Sequence, residues 1–290
     1  MRGSDEVPPA SHASNCPAPI TGAGRSHAGP FGMLRSGPAW IGGALAGIAG
    51  GFFGVGGGVV IVPILTGTFK LTQHQAHGTS LAIVGAAAVA SLAVYGLNGN
   101  VAWVTAAIVG VASMVTARWG ARLSARLSSE RLAQTFAVFL VLVALRLLWK
   151  VPPANEHAIV TDIAGIATDL GIGAAVGLLA GFMGVGGGIL AVPAFTLLLG
   201  MSQQVAQGTS LAVILLTAPA GALEHHRHGN VATRLIAPFA LGAALGGPLA
   251  SVLAQRLPQA VLVRGFAVFV LCNAVNLWIR ADRKRRLAAL

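Results

Sequence analysis

Two copies of the pentapeptide Gly-Val-Gly-Gly-Gly, at Gly54–Gly58 and Gly184–Gly188, lie inside long apolar runs of this chain. Glycine reaches positive φ without a steric penalty. Gly54, Gly56, Gly57 and Gly58, and Gly184, Gly186, Gly187 and Gly188, can therefore unwind a helix and leave its backbone bare. A helix that restarts after such a break presents free N–H groups and the positive end of its dipole, and together these bind an anion. A second shared motif, Gly-Thr-Ser-Leu-Ala, begins at Gly78 and at Gly208. Gly78, Thr79 and Ser80, and Gly208, Thr209 and Ser210, read as the start of the next helix in each half. There they add backbone and hydroxyl donors for an oxyanion, or serve as plain N-caps. His77 and Gln207 align just before them. Either can hydrogen-bond a substrate oxygen, and a histidine can also take up a proton near neutral pH, which makes protons a candidate coupling ion. Pro63 and Pro193 follow the glycines and are the expected hinges.

These motifs keep one register: each lies 130 residues after its counterpart. Asn98-Gly99-Asn100 aligns with His228-Gly229-Asn230, and Phe136 and Phe139 align with Phe266 and Phe269. The duplicated unit spans about Ala44 to Leu140 and about Ala174 to Val270. Chance similarity between apolar stretches does not produce glycines, proline and hydroxyls in fixed register. The simpler pairs Gly43/Gly47 and Gly173/Gly177 read as close helix packing through small residues.

The chain has 290 residues, of which 55% are hydrophobic and 9% charged. A soluble domain carries roughly 25% charged residues, so the composition is that of an integral membrane protein. The apolar runs are continuous rather than alternating, which argues against a β-barrel. The net charge of +11 sits at segment ends and in loops, the habit of cytoplasmic loops rather than of a nucleic-acid surface. No nucleophile–base pair and no Walker sequence occurs, so the reading is not an enzyme and needs no cofactor. Cys16 and Cys272 do not form a disulfide framework or a metal site. Glu224, His225, His226 and His228 cluster at one helix end but have no equivalent in the first half. No metal is assigned to them, and a metal-ion transporter using the histidines stays open as an alternative. No acidic residue other than Glu224 is read inside a span, which weakens a carboxylate relay.

The expected architecture is an all-α polytopic membrane protein, built from two repeats with glycine-broken or re-entrant helices in inverted topology. Residues 1–36 read as a disordered extension, rich in Pro, Gly, Ser and His, and Met33 is a candidate alternative start. Residues 37–150 are the first membrane bundle and 151–168 a linker. Residues 169–280 are the second bundle and 281–290 a basic cytoplasmic tail. Later helices are expected at Gly78–Leu97, Val101–Trp119, Leu132–Trp149, Gly208–Leu223, Val231–Leu253 (interrupted by Pro238 and Pro248) and Ala260–Ile279. If each glycine-broken run returns to the side it entered from, one side of the membrane collects fifteen Lys and Arg and the other four. A single crossing by each run divides them twelve to seven. The positive-inside rule favours the returning runs, with both termini cytoplasmic.

At AGGFFGVGGGVVIVP, AGFMGVGGGILAVP and the doubled QxxxxGTSLA segments the chain resembles the TauE/SafE family of sulfite exporters and anion permeases, from about Trp40 to Ile279. The resemblance implies an inner-membrane secondary transporter that moves a small sulfur-containing anion, such as sulfite, thiosulfate or an organosulfonate, without ATP. The expected partners are the lipid bilayer, a small anionic substrate and, as an open possibility, a second copy in a homodimer. No nucleic acid is expected. A passive anion channel is the nearest rival, and a membrane-embedded sensor without transport is another.

Overall fold

The computed structural model describes residues 37–124, 129–149, 163–183 and 187–287. Gly184 and Gly186, the extension 1–36 and most of the link between the halves lie outside the described residues. The rest is all-α: α1 (Gly37–Phe53), α2 (Gly58–Gly67), α3 (Gln73–Leu97), α4 (Trp103–Ser124), α5 (Ser129–Trp149), α6 (Ile163–Met183), α7 (Gly188–Leu198), α8 (Gln203–Arg227), α9 (Thr233–Arg256) and α10 (Gln259–Leu287). Among the described residues, α3, α6, α8, α9 and α10 contain stretches long and apolar enough to cross a membrane. From α2 onward, each helix of the first half has a counterpart starting 130 residues later, as with Gln73 and Gln203 or Trp103 and Thr233.

Three boundaries differ from the sequence reading. α3 and α8 start at Gln73 and Gln203 rather than at the Gly-Thr-Ser triplets. Thr72 caps α3, its hydroxyl accepting from the Gln75 amide while the Gln75 side chain accepts from the Thr72 amide. Ser202 caps α8 by accepting from the Val205 amide. The triplets therefore sit inside helices, where their amides are not free helix-end donors. α6 begins at Ile163, inside the expected linker 151–168, and carries Asp169 into the helix. α9 runs unbroken through Pro238 and Pro248. A proline removes one ladder bond, a loss that neighbouring helices can offset in a membrane bundle.

The helices pack across the halves. α1 lies along α9, with Gly43, Gly47 and Gly51 against the backbone oxygens of Phe239, Ala243 and Gly247. The contact advances in step along both chains, so α1 and α9 are parallel. α6 and α4 repeat the arrangement: Gly173, Gly177 and Gly181 meet the backbones of Val109, Ser113 and Ala117. A Cβ at these glycines would collide with the facing backbone, so the small residues set the helix spacing. α3 and α8 run the other way. Gly78 meets His225, Gly85 faces Ala218 and Gly208 meets Tyr95. The equivalent helices α3 and α8 are thus antiparallel to each other.

α2 doubles back along α1. Gly57 lies against the carbonyl of Ala46, and further along, Ile64 reaches the position of Gly42. The first glycine-broken run is therefore a helical hairpin, and Gly187 against Val176 places the start of α7 beside α6 in the same way.

Candidate functional site

The hairpin tip of the first half is built from left-handed glycines: Gly54, Gly56 and Gly57 have φ of 69°, 71° and 77°. Gly187 repeats this with φ 74°. Gly57 and Gly187 are the N-caps of α2 and α7, and neither end carries a side-chain cap. The first intrahelical bonds run from the Val60 and Ile61 amides to Gly57 O, and from Leu190 and Ala191 to Gly187 O. The amides of Gly58, Val59, Gly188 and Ile189 thus open each helix with no capping side chain.

The two tips meet. A Cβ on Gly188 would stand 2.7 Å from Val55 Cα and 3.1 Å from Gly54 O. Gly56 faces Val84 of α3 and Ile214 of α8, and Gly54 packs on Gln207. Val84 and Ile214 lie close to the point where α3 and α8 cross. α2 and α7 therefore point away from a shared centre, with their positive dipole ends turned inward. No Lys or Arg is among the buried polar side chains described, so the donors at this centre are neutral.

The structure divides the Gly-Thr-Ser triplet into two tasks. Thr79 Oγ1 accepts from the Ala232 amide at 2.9 Å, and Thr209 Oγ1 accepts from the Ala102 amide at 3.0 Å. Gly78 and Gly208 admit the carbonyls of Asn230 and Asn100 at the same turns. Glycine and threonine therefore clasp each half to the turn before α9 or α4 of the other. The serines face elsewhere. Ser80 is one helical turn before Val84 and Ser210 one turn before Ile214, the residues that touch Gly56. Both Oγ atoms are buried without a hydrogen-bond partner. A helical serine deprived even of its own i−4 carbonyl is an idle donor and acceptor, and buried polar groups are rarely idle.

Gln207, also fully buried, shares this face. Tyr95 Oη lies 2.9 Å from Gln207 Oε1 and 3.0 Å from Gly51 O. Ser251 Oγ is 3.3 Å from the same Gly51 oxygen. These contacts join α1, α3, α8 and α9 at the end of α1. Gln207 Nε2 has no partner. At the opposite end, Gly78 against His225 takes the place of Gly208 against Tyr95, and His77 takes that of Gln207. His77 Nε2 lies 3.3 Å from Gln73 Nε2. The sequence reading did not include Tyr95 or Ser251, although the single tyrosine of the chain, set in an apolar helix, was a visible cue. Pro63 and Pro193 lie inside α2 and α7, past the breaks. Each removes one ladder donor there.

Among the described residues no group of His, Cys, Asp and Glu is placed to hold a metal ion. Glu224 instead lies 3.8 Å from Arg227 and 3.9 Å from His228, all on an exposed helix end. A cleft of about 340 Å3 between α5 and α10 is lined by exposed apolar side chains such as Val138, Leu142, Val275 and Trp278. It lies on faces suited to lipid and away from the glycine tips.

An all-α chain with several helices long and apolar enough to cross a bilayer is a multi-pass membrane protein. The family model described as Sulfite exporter TauE/SafE matches residues 18–147 and 169–289, and the chain belongs to that family. It is 30% identical over 239 residues to a probable membrane transporter protein of Xylella fastidiosa, covering 80% of this chain and 91% of that one. It is 30% identical over 243 residues to the probable membrane transporter protein YunE of Bacillus subtilis, covering 76% and 89%. A probable membrane transporter protein of Methanocaldococcus jannaschii is 29% identical over 197 residues, covering 63% and 69%. No solved structure matches.

Proposed function

We propose that the chain is a secondary transporter for a small sulfur-containing oxyanion, held between the N-termini of α2 and α7. The observation that carries this reading is the meeting of Gly188 with Gly54 and Val55, which sets two uncapped helix starts side by side. Ser80, Ser210 and Gln207 supply further neutral donors. Such donors replace water around an anion without the tight grip of an arginine, which suits a protein that must release its cargo. The Tyr95–Gln207–Gly51 contacts latch one end of the path, and rocking of one half against the other, with bending at Pro63 and Pro193, exposes the site alternately.

The test is thiosulfate and sulfite flux in proteoliposomes, paired with thermal shifts for sulfate, sulfonates and carboxylates. The expected result is exchange of labelled thiosulfate against unlabelled thiosulfate, with stabilisation by sulfur oxyanions only. Thiosulfate that never accumulates beyond its electrochemical equilibrium points to a channel instead. No flux and no shift removes the transport reading.

The inner membrane is the proposed location. α1 starts, and α10 ends, on the side that carries Lys70, Arg118, Arg122, Arg227, Arg234 and the basic tail, so that side is cytoplasmic. A reporter fused after Leu290 is expected to be active only in the cytoplasm, and an extracytoplasmic signal reverses the orientation.

A further inference from the structure

Asp169 is the buried acid that the reading so far does not use. It lies six residues into α6, about 9 Å along the helix at 1.5 Å per residue. Its side chain is 0% exposed. It shares one helix stripe with Gly173, Gly177 and Gly181, the stripe that packs backbone to backbone on α4. Thr105, in the first turn of α4 and itself buried, faces it. Neither carboxyl oxygen has a hydrogen bond in good geometry.

Among the described residues no ion pair compensates Asp169. α4 carries only Arg118 and Arg122, near its opposite end, and α7 carries no titratable residue. α6 has no other among Ile163–Met183. Arg146, Arg256 and Arg264 lie on the same side of the molecule, and none pairs with Asp169. An ionised carboxylate in such a seam is strongly disfavoured, and the neutral acid avoids that cost. The fold does not demand an acid here: Ala39 occupies the equivalent place on α1, fully buried in the matching seam with α9. One seam of two is therefore titratable, and it is the seam of a helix that carries a glycine tip.

Resting on the transport reading above, we propose that Asp169 is the proton-coupling residue, taking one proton from water on the face opposite the start of α1 and the end of α10. Protonated, it lies sealed between α6 and α4, as in the described conformation. When it releases the proton, the carboxylate requires water, and the α4–α6 seam opens at that end. Movement of α6 carries the α7 tip with it, so loading of the proton and access of the anion are linked.

Two flux measurements on the full chain separate this from the transport reading. Thiosulfate exchange at equal pH reports transport alone. Thiosulfate accumulation driven by a pH gradient reports coupling, about tenfold for one pH unit and one proton, the equivalent of 1.4 kcal/mol. Asp169→Asn is expected to keep exchange and lose the accumulation, and Asp169→Glu to keep both. Accumulation by Asp169→Asn equal to wild type overturns the assignment. Should the variant fail to insert, the difference infrared spectrum of the wild type across pH decides. A buried protonated-carboxyl band that titrates supports the assignment, and no such band overturns it. Loss of exchange in the wild type itself sinks the transport reading, and the infrared band then tests Asp169 independently.

Discussion

Gly57→Ala is expected to bring thiosulfate exchange down to background, while Gly67→Ala leaves it unchanged. One adds a methyl at the N-cap of α2 and the other at its last residue. At Gly57 the backbone has φ 77°, where a side chain costs about 1–2 kcal/mol. The added Cβ also meets the backbone oxygen of Ala46, which cannot rotate away. The hairpin must open to admit it, and the amides of Gly58 and Val59 then leave the shared centre. Gly67 is exposed with nothing within 4 Å, and alanine there gains roughly 0.5–1 kcal/mol of helix stability. Gly187→Ala should be intermediate. Its φ is equally unfavourable at 74°, but the nearest atoms are the side chains of Val176 at 3.0 Å and Ala180 at 3.2 Å, which can shift slightly. The measurement is exchange in proteoliposomes alongside thermal unfolding in detergent. Wild-type exchange by Gly57→Ala would remove the glycine tip from the mechanism.

Ser80→Ala and Ser210→Ala should separate binding from stability. A hydroxyl that holds the fold together weakens it when deleted. These two have no partner in the protein, and a buried unsatisfied polar group costs about 1–3 kcal/mol. Deleting either is expected to leave the melting temperature unchanged or raised. A hydrogen bond to a charged group contributes about 1.5–3 kcal/mol, so each loss should weaken thiosulfate binding by roughly 10- to 100-fold. The expected pattern is a higher half-saturation concentration on a fold at least as stable. Lower stability with unchanged affinity would mean that the serines serve packing alone.

The breaks were legible because positive φ is a local demand: only runs such as Gly54–Gly58 meet it cheaply, and two copies in register leave little to accident. Membrane residence was legible because few charges remain to face water. The start of α3 was present in the sequence as Thr72 and Gln75, a capping box overshadowed by the more conspicuous triplet behind it. The different roles of Thr79 and Ser80 were not legible. Neighbours on a helix point about 100° apart, and only the turn at Ala232 on one side and the Gly56 tip on the other give each direction its meaning. Asp169 stands at the very edge of the expected second bundle, directly after the polar link, so the sequence does not mark it as buried. It is buried because Gly173, Gly177 and Gly181, one, two and three turns further on, draw α6 tightly onto α4.

The amino-acid order alone therefore determined a duplicated, lipid-embedded helical chain with two glycine breaks, since composition, repeat register and backbone freedom act residue by residue. Only the tertiary structure decided that the breaks are hairpin tips that touch, that α1 pairs with α9 and α6 with α4, and that one seam encloses an acid. Those outcomes depend on how helices far apart in sequence rotate and slide until small residues meet backbone, a condition set by the partner surface rather than by either helix alone.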